Sequence, residues 1–89
     1  MKIDTFIDIA RMRRKVDGKN PNYTRLINTL RIYRDIYEVN TISEIIDGPF
    51  EHNWIRRVPN GGRKSLNLFK ELLTDLKFWD YYWSIRSKV

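Results

Sequence analysis

The feature that most limits what this chain can become is the apolar spacing of its last third. Between positions 63 and 83 the large apolar residues include Leu66, Phe69, Leu72, Leu73, Leu76, Trp79 and Trp83. Separations of three and four place them on one side of an α-helix, whereas a strand would scatter them over both faces. The same spacing recurs upstream. Ile3, Phe6, Ile7 and Ala10 share one face over residues 3–15, a segment whose basic end suits a helix C-terminus. Leu26, Leu30, Tyr33 and Tyr37, widened by Ile27 and Ile36, predict a helix over residues 23–38 with Asn22 as its N-cap. No stretch sustains period-two alternation. The expected fold is all-α, a compact bundle of about five helices with short connections.

Breakers set the joints. "DGKNPN" (residues 17–22) is a linker-type run that divides an N-terminal amphipathic helix and linker (1–22) from a compact remainder (23–89). "TISE" (residues 41–44) is a capping box, in which hydroxyl and carboxylate each serve a free amide at a helix start. Gly48-Pro49 stops that helix by about Asp47. "EHNWIRR" (residues 51–57) predicts another short helix with Trp54 and Ile55 pointing inward. "VPNGGRKSL" (residues 58–66) then turns the chain into the final helix.

A chain of 89 residues forms one domain with a modest core, so aromatic side chains must carry much of the burial. It contains no cysteine and one histidine, which excludes a disulfide scaffold and thiolate zinc ligation. His52 stands beside Glu51 and Asn53 and reads as a surface or capping residue. No acids are paired at a spacing that suggests metal or acid–base chemistry, and no nucleophile–base set is present. The expectation is a protein that is not an enzyme, with no cofactor and no metal. Apolar runs are too short to span a bilayer, and "MKIDTFIDIARMRRK" carries charge where a signal peptide needs an apolar core. A soluble cytoplasmic protein, nucleoid-associated if it binds DNA, is expected.

The net charge is +6 with a sequence pI near 9.8, and its distribution is uneven. Residues 11–34 hold eight Lys and Arg against one Asp. Arg56, Arg57, Arg63 and Lys64 form a second cluster without an acid. A field of one sign attracts phosphate; a solvated helix surface is the competing reading.

The glycine corner sharpens this. A helix start carries unpaired amides and partial positive charge, and glycines ahead of it allow positive φ or close approach by a ligand. Together these features make an anion site. Lys64 adds a point charge, Ser65 a hydroxyl donor and Arg63 a two-pronged donor for phosphate oxygens. "GGRKS" lacks the spacing and preceding strand of a Walker loop, so a mononucleotide-binding enzyme fits poorly. A plain corner that binds nothing is the alternative.

"VPNGGRKSLNLFKELLTDL" (residues 58–76) resembles the helix-hairpin-helix segment in the C-terminal domain of the bacterial RNA polymerase α subunit. "TRLINTL" (residues 24–30) is similar to that family's first-helix pattern, and "NTISEII" (residues 40–46) to its next element. Three blocks in the family's order cover about residues 24–77. The resemblance implies a compact helical domain that binds duplex DNA along the backbone and minor groove, often in A/T-rich sequence, without strong base readout. It also implies contact with RNA polymerase or another transcription protein. Carried over by position, the DNA-facing residues are Arg25, Asn28 and Thr29 on one helix and Gly62, Lys64 and Ser65 at the corner, to which the anion-site reading adds Arg63. Arg25 and Asn28, three apart, are neighbours on a helix face. Gly61 departs from the family by standing where an apolar residue plugs the turn, which predicts a looser or differently supported corner. Leu68 replaces an acid, and the segment between Leu30 and Ile42 is one helical turn longer. The chain is thus read as a free-standing bacterial or phage relative.

In "FWDYYW" (residues 78–83) Trp79 and Trp83 continue the buried stripe, while Phe78, Tyr81 and Tyr82 face elsewhere. Covered by the N-terminal helix they join the core; uncovered they form a protein-docking patch. A protein-interaction module that docks on the transcription machinery or a phage assembly through this surface is the alternative to DNA binding.

Overall fold

The computed structural model describes residues 1–18, 20–59 and 61–77. Five α-helices follow one another among them: α1 (Ile3–Val16), α2 (Pro21–Tyr37), α3 (Ile42–Ile46), α4 (Phe50–Arg56) and α5 (Arg63–Asp75). The fold is all-α. Extended pairing among the described residues amounts to one antiparallel bridge, Lys2 with Thr41.

That bridge joins two helix starts. Ile3 N–H donates to the Asn40 carbonyl at 2.9 Å, and Ile42 N–H donates to the Met1 carbonyl at 2.9 Å. The first amides of a helix have no acceptor within it; α1 and α3 each take one from the segment leading into the other. Thr41 caps α3 as "TISE" predicts, its Oγ1 accepting from Glu44 N–H at 3.2 Å. The Glu44 carboxylate accepts from the same hydroxyl at 3.0 Å, where the capping-box reading expected it on a backbone amide.

Two boundaries differ from expectation. The N-cap of α2 is Asn20, whose Oδ1 accepts from Asn22 N–H at 3.0 Å, with Pro21 as the first helical residue. Proline lacks an amide that would go unpaired there, and its fixed φ suits the position. At the other end, α5 stops at Asp75 rather than near residue 83. Lys77 adopts φ 55°, a left-handed turn that closes helices, and its N–H donates to the Thr74 carbonyl at 2.9 Å. The expectations for Phe78, Trp79, Tyr81, Tyr82 and Trp83 lie outside the described residues.

Phe69 of α5 is the centre of the core. Trp54 of α4 stacks on it with ring centroids 5.0 Å apart, while Phe6 of α1 and Phe50 of α4 meet it edge-on at 5.3 and 6.0 Å. Such offset and T-shaped pairs are favoured by the ring quadrupoles. α2 closes the core with Tyr23, Leu26, Ile27, Leu30 and Tyr33, and Tyr33 lies 6.4 Å from Trp54. α1 therefore belongs to the same core as residues 23–77 and is not set apart from them. The joint between α1 and α2 is tied down, since the Tyr23 hydroxyl donates to an Asp17 carboxylate oxygen at 2.9 Å. Ile36, expected in the α2 stripe, is 49% exposed. It sits in the last turn of α2, one residue before the helix ends at Tyr37.

Candidate nucleic-acid interface

α4 and α5 meet at a tight corner over residues 57–62. The N–H groups of Arg57 and Val58 both donate to the Asn53 carbonyl at 3.0 Å, and Gly61 N–H donates to the Val58 carbonyl at 3.1 Å. Val58 is buried and pins the turn to the core.

The glycines work differently from the positive-φ expectation. Gly62 has φ −142°, an extended geometry open to any residue, and Gly18 is the one positive-φ glycine among the described residues. Gly61 instead serves close approach. A Cβ there would overlap the backbone carbonyl oxygen of Trp54 and lie 3.1 Å from the Val58 carbonyl oxygen. A plug residue at this position has no room. At position 61 the corner is closed by backbone resting on backbone, with no side chain between.

Ser65 supplies the other support. Its Oγ accepts from Trp54 Nε1–H at 3.0 Å and from Gly62 N–H at 3.3 Å, and its hydroxyl donates to the Gly62 carbonyl at 3.0 Å. The side chain is fully buried. This hydroxyl, expected to face phosphate, is thus committed to joining α4, the corner and α5. Thr29 is likewise fully buried, and its hydroxyl donates to the Arg25 carbonyl one turn back at 2.8 Å. Neither is presented to a ligand. Their burial escaped sequence reading because each depends on neighbours far along the chain, whereas a short hydroxyl at a helix position reads equally well as exposed.

The remaining candidates do face solvent. Arg25 and Asn28 are exposed on α2, Arg63 and Lys64 are exposed in the first turn of α5, and Gly62 is half-buried at its start. α2 packs against α5; Tyr23 in its first turn is buried in the core, and further along Tyr33 lies 6.4 Å from Trp54, the partner of Ser65. Arg25 and Asn28 occupy the solvent side of the α2 stretch between these contacts. Arg56 and Arg57 close α4 and are also exposed, so four cations bracket the corner from both sides. Other basic residues are engaged: Arg34 pairs with Asp4 at 2.7 Å and Lys70 with Glu51 at 3.1 Å. Leu68, where the family carries an acid, is buried and belongs to the core. His52 is exposed.

No protein-family model, curated protein or solved structure matches this chain. Among the described residues, no three His, Cys, Asp or Glu residues gather as metal ligands. No helix there is long and apolar enough to cross a membrane. The candidate docking residues Phe78, Tyr81 and Tyr82 lie outside the described residues.

Proposed function

We propose that the protein is a duplex-DNA-binding module of helix-hairpin-helix type with a role in transcription, holding the sugar–phosphate backbone without strong base readout. The observation that carries this reading is the start of α5. Its first-turn amides have no acceptor within their own helix, its partial positive charge is augmented by exposed Arg63 and Lys64, and the Trp54–Ser65–Gly62 bonds hold it in place. Arg25 and Asn28 add donors from α2, a set suited to phosphate oxygens and to the acceptor edges of a narrow minor groove. The sequence resemblance to the RNA polymerase α C-terminal domain supports the same use of these positions. Gly62, Arg63 and Lys64 contact phosphate at the corner; Ser65 and Thr29 act by shaping the surface behind them.

Fluorescence anisotropy with a short A/T-rich duplex, read across a salt series, tests this. Affinity falls with salt by about 0.9 log unit per log unit of salt for each phosphate contact. The Arg25→Ala/Lys64→Ala variant keeps its helical circular dichroism and loses about two contacts' worth of salt slope. Equal affinity and slope in the two proteins would remove the site.

A further inference from the structure

The outward side of α1 carries a second pattern. Thr5, Ile9, Met12 and Val16 are spaced four, three and four, the alternation of a coiled-coil seam. They lie away from Ile3, Phe6, Ile7 and Ala10, the face α1 buries in the core. Met12 is 68% and Val16 80% exposed, Thr5 is exposed and Ile9 half-buried. Exposed apolar groups are common singly, but a row at seam spacing marks a contact surface.

Charge selects the occupant. The first half of α1 carries Asp4 and Asp8; the second carries Arg11, Arg13, Arg14 and Lys15. We infer that α1 pairs antiparallel with α1 of a second copy of this chain. In that arrangement Ile9 of each copy packs on Met12 of the other, Thr5 packs on Val16, and Asp8 meets Lys15 twice, at the flanking positions that set orientation in coiled coils. The interface is isologous, as twofold symmetry requires. A parallel pairing would set the two basic halves side by side. Asp8 is free to change partner, because its bond within α1 is a long one to Arg11, 3.9 Å between exposed groups. A 14-residue helix offers a surface well below the standard interface size, so the dimer is weak and concentration-dependent. The residues involved are distinct from those assigned to DNA, and this inference stands without that reading.

Sedimentation equilibrium from about 10 µM to about 1 mM, a range that populates complexes with Kd up to the millimolar level, reads the association. The average mass rises from 10.8 kDa toward twice that value. Met12→Asp, at an exposed position, keeps the thermal melt and removes the rise. Asp8→Lys and Lys15→Asp each weaken association about tenfold, and an equimolar mixture of the two variants restores it. Orientation is read by disulfide trapping, which the absence of native cysteine makes clean. Thr5→Cys mixed with Val16→Cys gives the mixed disulfide in excess over either homodimer. A monomer throughout the range overturns the inference, as does a dimer indifferent to Met12→Asp, which would place the contact elsewhere. Predominant Thr5→Cys homodimer overturns the antiparallel geometry.

Discussion

Gly61 rests directly on the backbone carbonyl of Trp54, so closely that a Cβ would overlap its oxygen. This contact joins the last turn of α4 to the corner that leads into α5. It gives glycine at position 61 a steric reason independent of φ. The consequence is asymmetric between two neighbouring glycines. Gly61→Ala must displace backbone and is expected to destabilise the fold by about 2–4 kcal/mol. Gly62→Ala meets nothing within 4 Å of its Cβ and costs at most about 1 kcal/mol, the loss of a favourable N-cap residue. Urea denaturation of the two variants measures the difference; equal costs would contradict the packing described.

The Ser65 hydroxyl is the second prop of the corner. Ser65→Ala strands the buried Trp54 Nε1–H and unties Gly62, a change expected to cost about 1–3 kcal/mol. Trp54→Phe removes the donor as well as the ring edge, so in the Trp54→Phe background the further cost of Ser65→Ala should shrink by at least about 0.5 kcal/mol. A double-mutant cycle by chemical denaturation checks this. Strict additivity would show that the two side chains do not act together.

The pattern of hits and misses between sequence and structure has a physical order. Features that depend on spacing within one helix were legible: the α1 face, the Thr41 cap, the inward Trp54, and the number and type of elements. Features that depend on distant partners were not. Gly61 reads as a missing plug until the Trp54 carbonyl is seen beneath it, and Ser65 reads as a phosphate donor until its bond to Trp54 removes it from solvent. The "NP" pair at residues 20–21 reads as a break, although proline is equally at home as the first residue of a helix. The apolar stripe past Leu76 overstates α5, because spacing alone carries no sign of the left-handed turn at Lys77. Within the candidate interface, Arg25, Asn28, Arg63 and Lys64 are exposed, as contact with a ligand requires, while the small hydroxyl residues Thr29 and Ser65 are buried.

Alkaline pH tests the tie between α1 and α2. Burial, and next the hydrogen bond to Asp17, push the Tyr23 phenol up from 10.0 to about 12. A raised folded-state pKa favours the protonated form in the fold. Its contribution is therefore complete below pH about 10 and is lost as pH climbs toward about 12. With one side of the hydroxyl near exposed Asp17, the contribution is about 1–2 kcal/mol. Thermal melts of the wild type should fall more steeply over that window than those of Tyr23→Phe. Parallel curves would contradict the assignment; burial also raises Tyr33, which is common to both proteins and cancels.

The central claim is that exposed α2 and corner groups form one DNA-facing surface. A chemical-shift titration of the labelled protein with a short A/T-rich duplex at low salt tests it residue by residue. The account expects the largest amide shifts at residues 25–29 and 61–66, fading together as salt is raised. Absent shifts, or shifts concentrated on α1 or on residues 78–89, would contradict it.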